Sequence, residues 1–294
     1  MNKPGLFATL GAYVIWGLLP IYWKLLASVS SEAILANRIV WSFLFLLVLL
    51  YFQKALTKLT TAFRNRRTRR LFFLNGIIIS MNWFIYIWAV NHNFIVEASL
   101  GYYINPLVSI VFGVFFFKEK LSRIEWIAIL LATIGVLILT IGYGEFPWIS
   151  LALAFSFGFY GVVKKQRPLE STVSLTLETL APLPLALLFI GYLGVQGQST
   201  FSHSPFVTGG LLLTGVITAV PLLLFGFGAQ RIPYTVVGFL QFVAPTLSLA
   251  IGVLLYGEPF TRTHLIAFTF IWSAALVFTL NSLLLRKKQL RKVA

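Results

Sequence analysis

Arg38 and Glu178 are charged side chains set inside long apolar runs, ANRIVWSFLFLLVLL and SLTLETLAPLPLALLF. A charge at the centre of a bilayer costs about 2.5 to 3.5 kcal/mol even on the lenient insertion scale, so such residues are expected to pair or to act on a substrate. A guanidinium there would attract an anionic group such as a carboxylate. A carboxylate there would bind an ammonium or take up a proton coupled to solute movement. Each residue lies about two turns inside its run and enters from the opposite membrane face, so a direct ion pair does not follow. Snorkelling of either to the nearer interface is the competing reading. Other chemistries lack their residues. The chain has no Cys and no Asp, and its three histidines, His92, His203 and His264, are far apart in sequence. No metal-ligand spacing, catalytic triad or G-x-x-x-x-G-K-[ST] phosphate loop is present, so no metal, cofactor or ATPase site is expected.

The next polar groups surround two prolines. Pro106, Ser109, Gly113 and Glu119 recur as Pro245, Ser248, Gly252 and Glu258 at a constant offset of 139 residues. Proline lacks an N–H and frees the carbonyl four residues earlier, here those of Tyr102 and Gln241, which are themselves repeat partners. The pair is expected to kink or gate two helices at mid-membrane, with simple packing kinks as the alternative. Pro20, Pro182, Pro184 and Pro221 have no such pairing and are read as kinks. Asn75, Asn82, Tyr86 and Asn93 fall on one helical face, and Tyr102, Tyr103 and Asn105 immediately precede the first proline. A polar stripe within a span must face protein or a water-filled cavity. Asn82 and Tyr86 are therefore candidates to line a cavity, with helix-to-helix glue as the alternative. Trp16 and Tyr160, each followed by glycine, could form a flat wall for an apolar substrate. Small residues such as Ala128, Ala132 and Gly135, or Gly238 and Ala274, are read as helix-contact positions. Lys24 could cap its helix by snorkelling, and Glu97 could pair with Lys24 or with Arg38.

These groups need elements to hold them, and composition says which. The chain is 59% hydrophobic and 11% charged, with a mean hydropathy of +0.89; soluble domains carry about 25% charged residues. Continuous rather than alternating apolar runs indicate helices. Ten are expected, at roughly 5–26, 34–53, 71–92, 96–117, 123–142, 147–163, 174–193, 207–227, 234–256 and 263–284. The first run is too long for a secretory leader and lacks a small-residue cleavage site, so it is read as a span. With the N-terminus inside, all of the 23 lysines and arginines except Lys24, Arg38 and Arg262 fall in cytoplasmic segments, as the positive-inside rule requires. The Arg64–Arg70 cluster and the net charge of +15 are accordingly read as topology determinants, with binding of nucleic acid or of anionic lipid headgroups as the alternatives. Five spans per half is an odd number, so residues 1–143 and 144–294 form two inverted repeats of one compact membrane domain, N-in and C-in. Arg38 and Glu178, 140 residues apart, and Trp16-Gly17 with Tyr160-Gly161, 144 apart, fit the same duplication. Inverted repeats are a common basis of alternating access in secondary transporters.

The segments GAY (11–13), WGLLPIYWK (16–24), RIVWS (38–42) and EASLGYYINPL (97–107) closely resemble the RarD branch, the chloramphenicol-sensitivity proteins, of the EamA-type drug/metabolite transporter superfamily. The resemblance covers essentially the whole chain. It implies a ten-helix permease of the bacterial inner membrane that exports or exchanges a small metabolite or drug, with the bilayer and a small-molecule substrate as partners. A passive channel or lipid flippase is the alternative class, and a membrane-embedded enzyme is the remaining one.

Overall fold

A computed structural model describes residues 2–91, 94–144, 146–197, 204–257 and 260–293; the side chains of 87, 90, 91, 95–97, 143 and 282–293 are outside the description. Thirteen helices follow in order: α1 Lys3–Leu25, α2 Ser31–Phe52, α3 Leu56–Arg64, α4 Arg66–Asn91, α5 Ile95–Phe117, α6 Arg123–Tyr143, α7 Trp148–Gln166, α8 Ser171–Leu180, α9 Leu183–Val195, α10 Pro205–Ala229, α11 Tyr234–Gln241, α12 Val243–Tyr256 and α13 Arg262–Val293. No strand occurs among the described residues. Seven stretches are long and apolar enough to cross a membrane, counting α11 and α12 as one, and eight if the bent α8–α9 pair is one span. The expected spans at 71–92 and 147–163 correspond to α4 and α7. Of these α7 falls short of that apolarity, because it ends on Lys164 and Lys165; α4 opens on four arginines and then runs apolar and uncharged from Leu71, with its last turns partly outside the described side chains.

Local chemistry sets the helix ends. Asn2, Ser30 and Ser204 accept the free N–H groups of α1, α2 and α10, and Ser122 with Glu125 forms a reciprocal capping box on α6. At the other end, α5 and α12 both close on a left-handed residue, Lys118 (φ 52°) and Gly257 (φ 68°). Their N–H groups reach back to the carbonyls of Gly113 and Gly252.

Three features differ from the sequence expectation. The loop after α2 contains a further short helix, α3, whose one buried residue, Ala62, packs in a cluster with Leu50, Phe72 and Val173. The run at 174–193 is broken into α8 and α9, bent by 52° where Pro182 and Pro184 fall. The run at 234–256 divides at Phe242, which leaves Pro245 in the first turn of α12, where a missing N–H is harmless. Pro106, by contrast, lies within the unbroken α5. The two prolines therefore do not act alike: only the second accompanies a break.

The helices pack in a closed set of neighbours. α5 lies along α7 and α11, α1 along α10 and α12, α2 along α10 and the α8–α9 pair, α4 along α7 and α8, and α6 against α13. Small residues allow the closest approaches. A Cβ on Gly135 would sit 2.6 Å from the Ala267 carbonyl across the α6–α13 contact, and one on Gly238 would sit 2.8 Å from the Pro106 carbonyl.

Candidate functional site

Arg38 lies where five helices converge. Its Nε donates to Thr218 Oγ1 of α10 at 3.0 Å, and its guanidinium stacks on Trp23 of α1 and Trp83 of α4, each with the ring centroid at 4.9 Å. Tyr22, Tyr86 and Tyr102 lie near enough to interact electrostatically with the same cation; Tyr86 and Tyr102 meet edge to face at 5.8 Å, and Tyr22 donates to the Gly210 carbonyl. The guanidinium carbon lies over both indole rings, and Thr218 takes the Nε edge. The outer fork, the part that binds carboxylates in bidentate fashion, has no carboxylate within 4.0 Å among the described residues. The side chain of Glu97, one expected partner, lies outside them.

Glu178 is held quite differently. It is buried on α8, with its carboxylate 2.8 Å from Lys164 Nζ of α7 and accepting from Asn75 Nδ2 (2.9 Å) and Tyr160 OH (3.1 Å). Lys164 also donates to Ser174 Oγ at 2.9 Å. Lys164 was expected in a cytoplasmic loop; the structure instead places it inside α7, fully buried. The carboxylate therefore has its countercharge within the chain. Removing one member of such a buried pair typically costs about 3 to 5 kcal/mol, because the other is left uncompensated. Arg38 and Glu178 do not meet.

The remaining candidates divide between these two neighbourhoods and the proline region. Trp16 and Tyr160 are brought together through shared rings: both contact Phe157 and Phe225, with Tyr160 stacked on Phe225 at 6.0 Å. The α4 stripe serves three neighbours in turn. Asn75 bonds Glu178, Asn82 spends its amide donors on the Leu153 carbonyl and Ser156 of α7, and Tyr86 meets α5. Asn82 is thus helix glue on its donor side; Asn93 lies outside the described residues. Tyr103 donates at 3.4 Å to the carbonyl of Pro245, and so joins the two proline segments. Asn105 and Gln241 are buried, and each leaves its side-chain carbonyl oxygen without a partner among the described residues. An unmet buried acceptor costs about 1 to 3 kcal/mol unless water or a ligand satisfies it.

Two further residues act in unexpected ways. Glu119 is no loose loop residue: its carboxylate accepts the N–H groups of Tyr234 (2.6 Å) and Thr235 (2.8 Å), capping α11 from across the fold. Its repeat partner Glu258 lies outside the described residues. Lys24 places its ammonium 3.9 Å over the Tyr256 ring. The sequence reading missed Trp23, Trp83, Thr218 and Lys164 as parts of these sites. For Trp83 a signal existed, since it lies three residues before Tyr86 on the same helix; for Thr218, on a distant helix, there was none.

The sequence profile of the EamA-like transporter family matches the chain twice, over residues 3–141 and 147–280. A protein of Bacillus subtilis named uncharacterized transporter YojE is 46% identical over 285 residues, covering 95% of each chain. The protein RarD of Streptomyces exfoliatus is 42% identical over 96% of this chain and 90% of its own length. One solved crystal structure aligns with a TM-score of 0.73 over 95% of this chain and 99% of its own, at 17% identity, a likeness of fold.

Proposed function

The chain belongs to the EamA-like transporter family, in its RarD branch, and from that premise we propose that it is a secondary active permease of the bacterial inner membrane. It moves a small organic anion by alternating access, in export or exchange. The observation that carries this reading is Arg38, a cation within the helix bundle that lies over two indoles and bonds Thr218, with its carboxylate-binding fork unmatched among the described residues. A carboxylate-bearing substrate with an apolar body fits that environment.

Ten spans are read from α1, α2, α4, α5, α6, α7, the α8–α9 pair, α10, the α11–α12 pair and α13, with α3 on the cytoplasmic surface. Several features support an inverted duplication. The left-handed closures at Lys118 and Gly257 share the 139-residue offset and the same backward hydrogen bond. Gly76 and Gly215 share it too: a Cβ on Gly76 would come within 2.2 Å of the Glu178 carbonyl, and one on Gly215 within 2.3 Å of the Trp41 backbone. These contacts join α4 to α8 and α10 to α2, which are corresponding pairs when the halves are exchanged. Arg38 bonds α10 and Glu178 bonds α4, again corresponding pairs.

The asymmetry between the halves supplies the mechanism. The second half neutralises its charge internally through Lys164, whereas the first half presents Arg38. Substrate is recognised at Arg38, and the tight Lys164–Glu178–Asn75 set closes the cytoplasmic end until the halves rock. Proton uptake by Glu178 would release Lys164 and link rocking to a proton gradient. Counterflow in proteoliposomes tests the reading, with a substrate chosen by comparing metabolites between deletion and overexpression cells. A carrier exchanges faster with substrate on the far side; unaccelerated flux would identify a channel.

A further inference from the structure

Four arginines line one groove between α4 and α7. Arg66, Arg67 and Arg70 come from the first turns of α4 and Arg167 follows the end of α7; Leu71, Leu74 and Val163 form the apolar floor of a space of about 620 Å³. All four arginines are exposed, and none has a carboxylate within 4.0 Å among the described residues. This differs from neighbouring charges: Lys58 pairs with Glu170 at 2.6 Å, and Arg69 stacks on Phe63 and donates to its carbonyl. Four like charges so close together repel one another, and an anion in the groove relieves that repulsion.

The groove is also amphiphilic along its length. From its apolar floor, α4 continues on the same face with Leu74, Ile77, Met81 and Phe84, each about half exposed, and α7 presents Phe159 and Phe155 on the turns before Val163. Arginines thus lie at one end and a greasy ridge runs away from them. From Arg66 to Phe84 that face extends roughly 27 Å at the helical rise of 1.5 Å per residue, close to the depth of a bilayer's hydrocarbon core.

We propose that this groove is a binding site for an anionic glycerophospholipid, phosphatidylglycerol or its two-phosphate relative cardiolipin. The phosphate seats among Arg66, Arg67, Arg70 and Arg167, and an acyl chain lies along the α4 ridge. Planar guanidinium forks suit phosphate oxygens, the N-terminal end of α4 adds partial positive charge, and basic pockets between spans are a recurring headgroup site. The site is separate from Arg38, so lipid bound here is a structural or regulatory partner and not the transported solute.

Native mass spectrometry of the full chain in detergent tests this with phosphatidylglycerol, phosphatidylcholine and inorganic phosphate as probes. Phosphatidylglycerol should be retained in preference to phosphatidylcholine. At about one kcal/mol per basic residue, the double variant R70Q/R167Q should bind it roughly 30-fold more weakly. The charge-preserving variant R70K/R167K, which keeps membrane insertion intact, should show a smaller loss, and R69Q none. Equal retention of the two lipids would overturn the proposal. So would unchanged binding in both double variants, or displacement of the lipid by phosphate at equal concentration, which would mark a site for free anions.

Discussion

Replacing Arg38 separates recognition from stability. Within the fold Arg38 makes one 3.0 Å hydrogen bond to Thr218 and stacks on two indoles at 4.9 Å. The bond, made by a charged donor, contributes about 1.5 to 3 kcal/mol and each stack about 0.5 to 1 kcal/mol. Holding the charge within the bilayer costs about 2.5 to 3.5 kcal/mol. These terms largely cancel, so R38A should leave unfolding in detergent within about 2 kcal/mol of the parent. A substrate carboxylate on the fork adds charge-assisted bonds of about 1.5 to 3 kcal/mol each, so losing even one weakens binding roughly 10- to 150-fold. R38K keeps the charge and loses the fork, and should fall between. The assay is thermal shift of the purified protein against a panel of carboxylic acids and their neutral amides, followed by counterflow with the acid giving the largest shift. The parent should prefer acid to amide, and R38A should lose both the preference and the flux. Folded R38A that retains acid preference and counterflow would refute the role given to Arg38.

Other expectations follow from the same geometry. E178Q and K164M should each destabilise the protein by about 3 to 5 kcal/mol, while the double variant K164M/E178Q recovers most of it; denaturation of all three in detergent checks this, and neutral single variants would contradict the buried pair. If Glu178 carries the coupled proton, E178Q should also abolish uptake driven by a pH gradient. E119Q weakens the cap on α11 by about 1 to 3 kcal/mol, readable as faster amide exchange at Tyr234 and Thr235. G76A and G215A should prevent native packing, since each Cβ would overlap backbone, whereas G191A, which meets open space, should be silent in size-exclusion profiles. Because the chain has no cysteine, single-cysteine reporters give a clean topology test: F146C should react with an impermeant maleimide in intact cells and T60C should not.

The helical class, the apolar character of the long helices and the family were legible in the sequence. Those properties follow from composition, from uninterrupted apolar runs and from local motifs, all of which act over one or two turns of chain. It also singled out Arg38 and Glu178, because a charge in an apolar run stands out without any knowledge of its neighbours. What each charge meets came only from the packing of the helices. Lys164 reads as a loop lysine until α7 and α8 pack and bring it to Glu178; Thr218 and the two stacking tryptophans reach Arg38 from three other helices. The two prolines read as equivalent, yet the chain divides before Pro245 and runs straight through Pro106. A side chain's type is fixed along the chain, but its partners come from packing between distant segments, and desolvation and pairing are set by those partners.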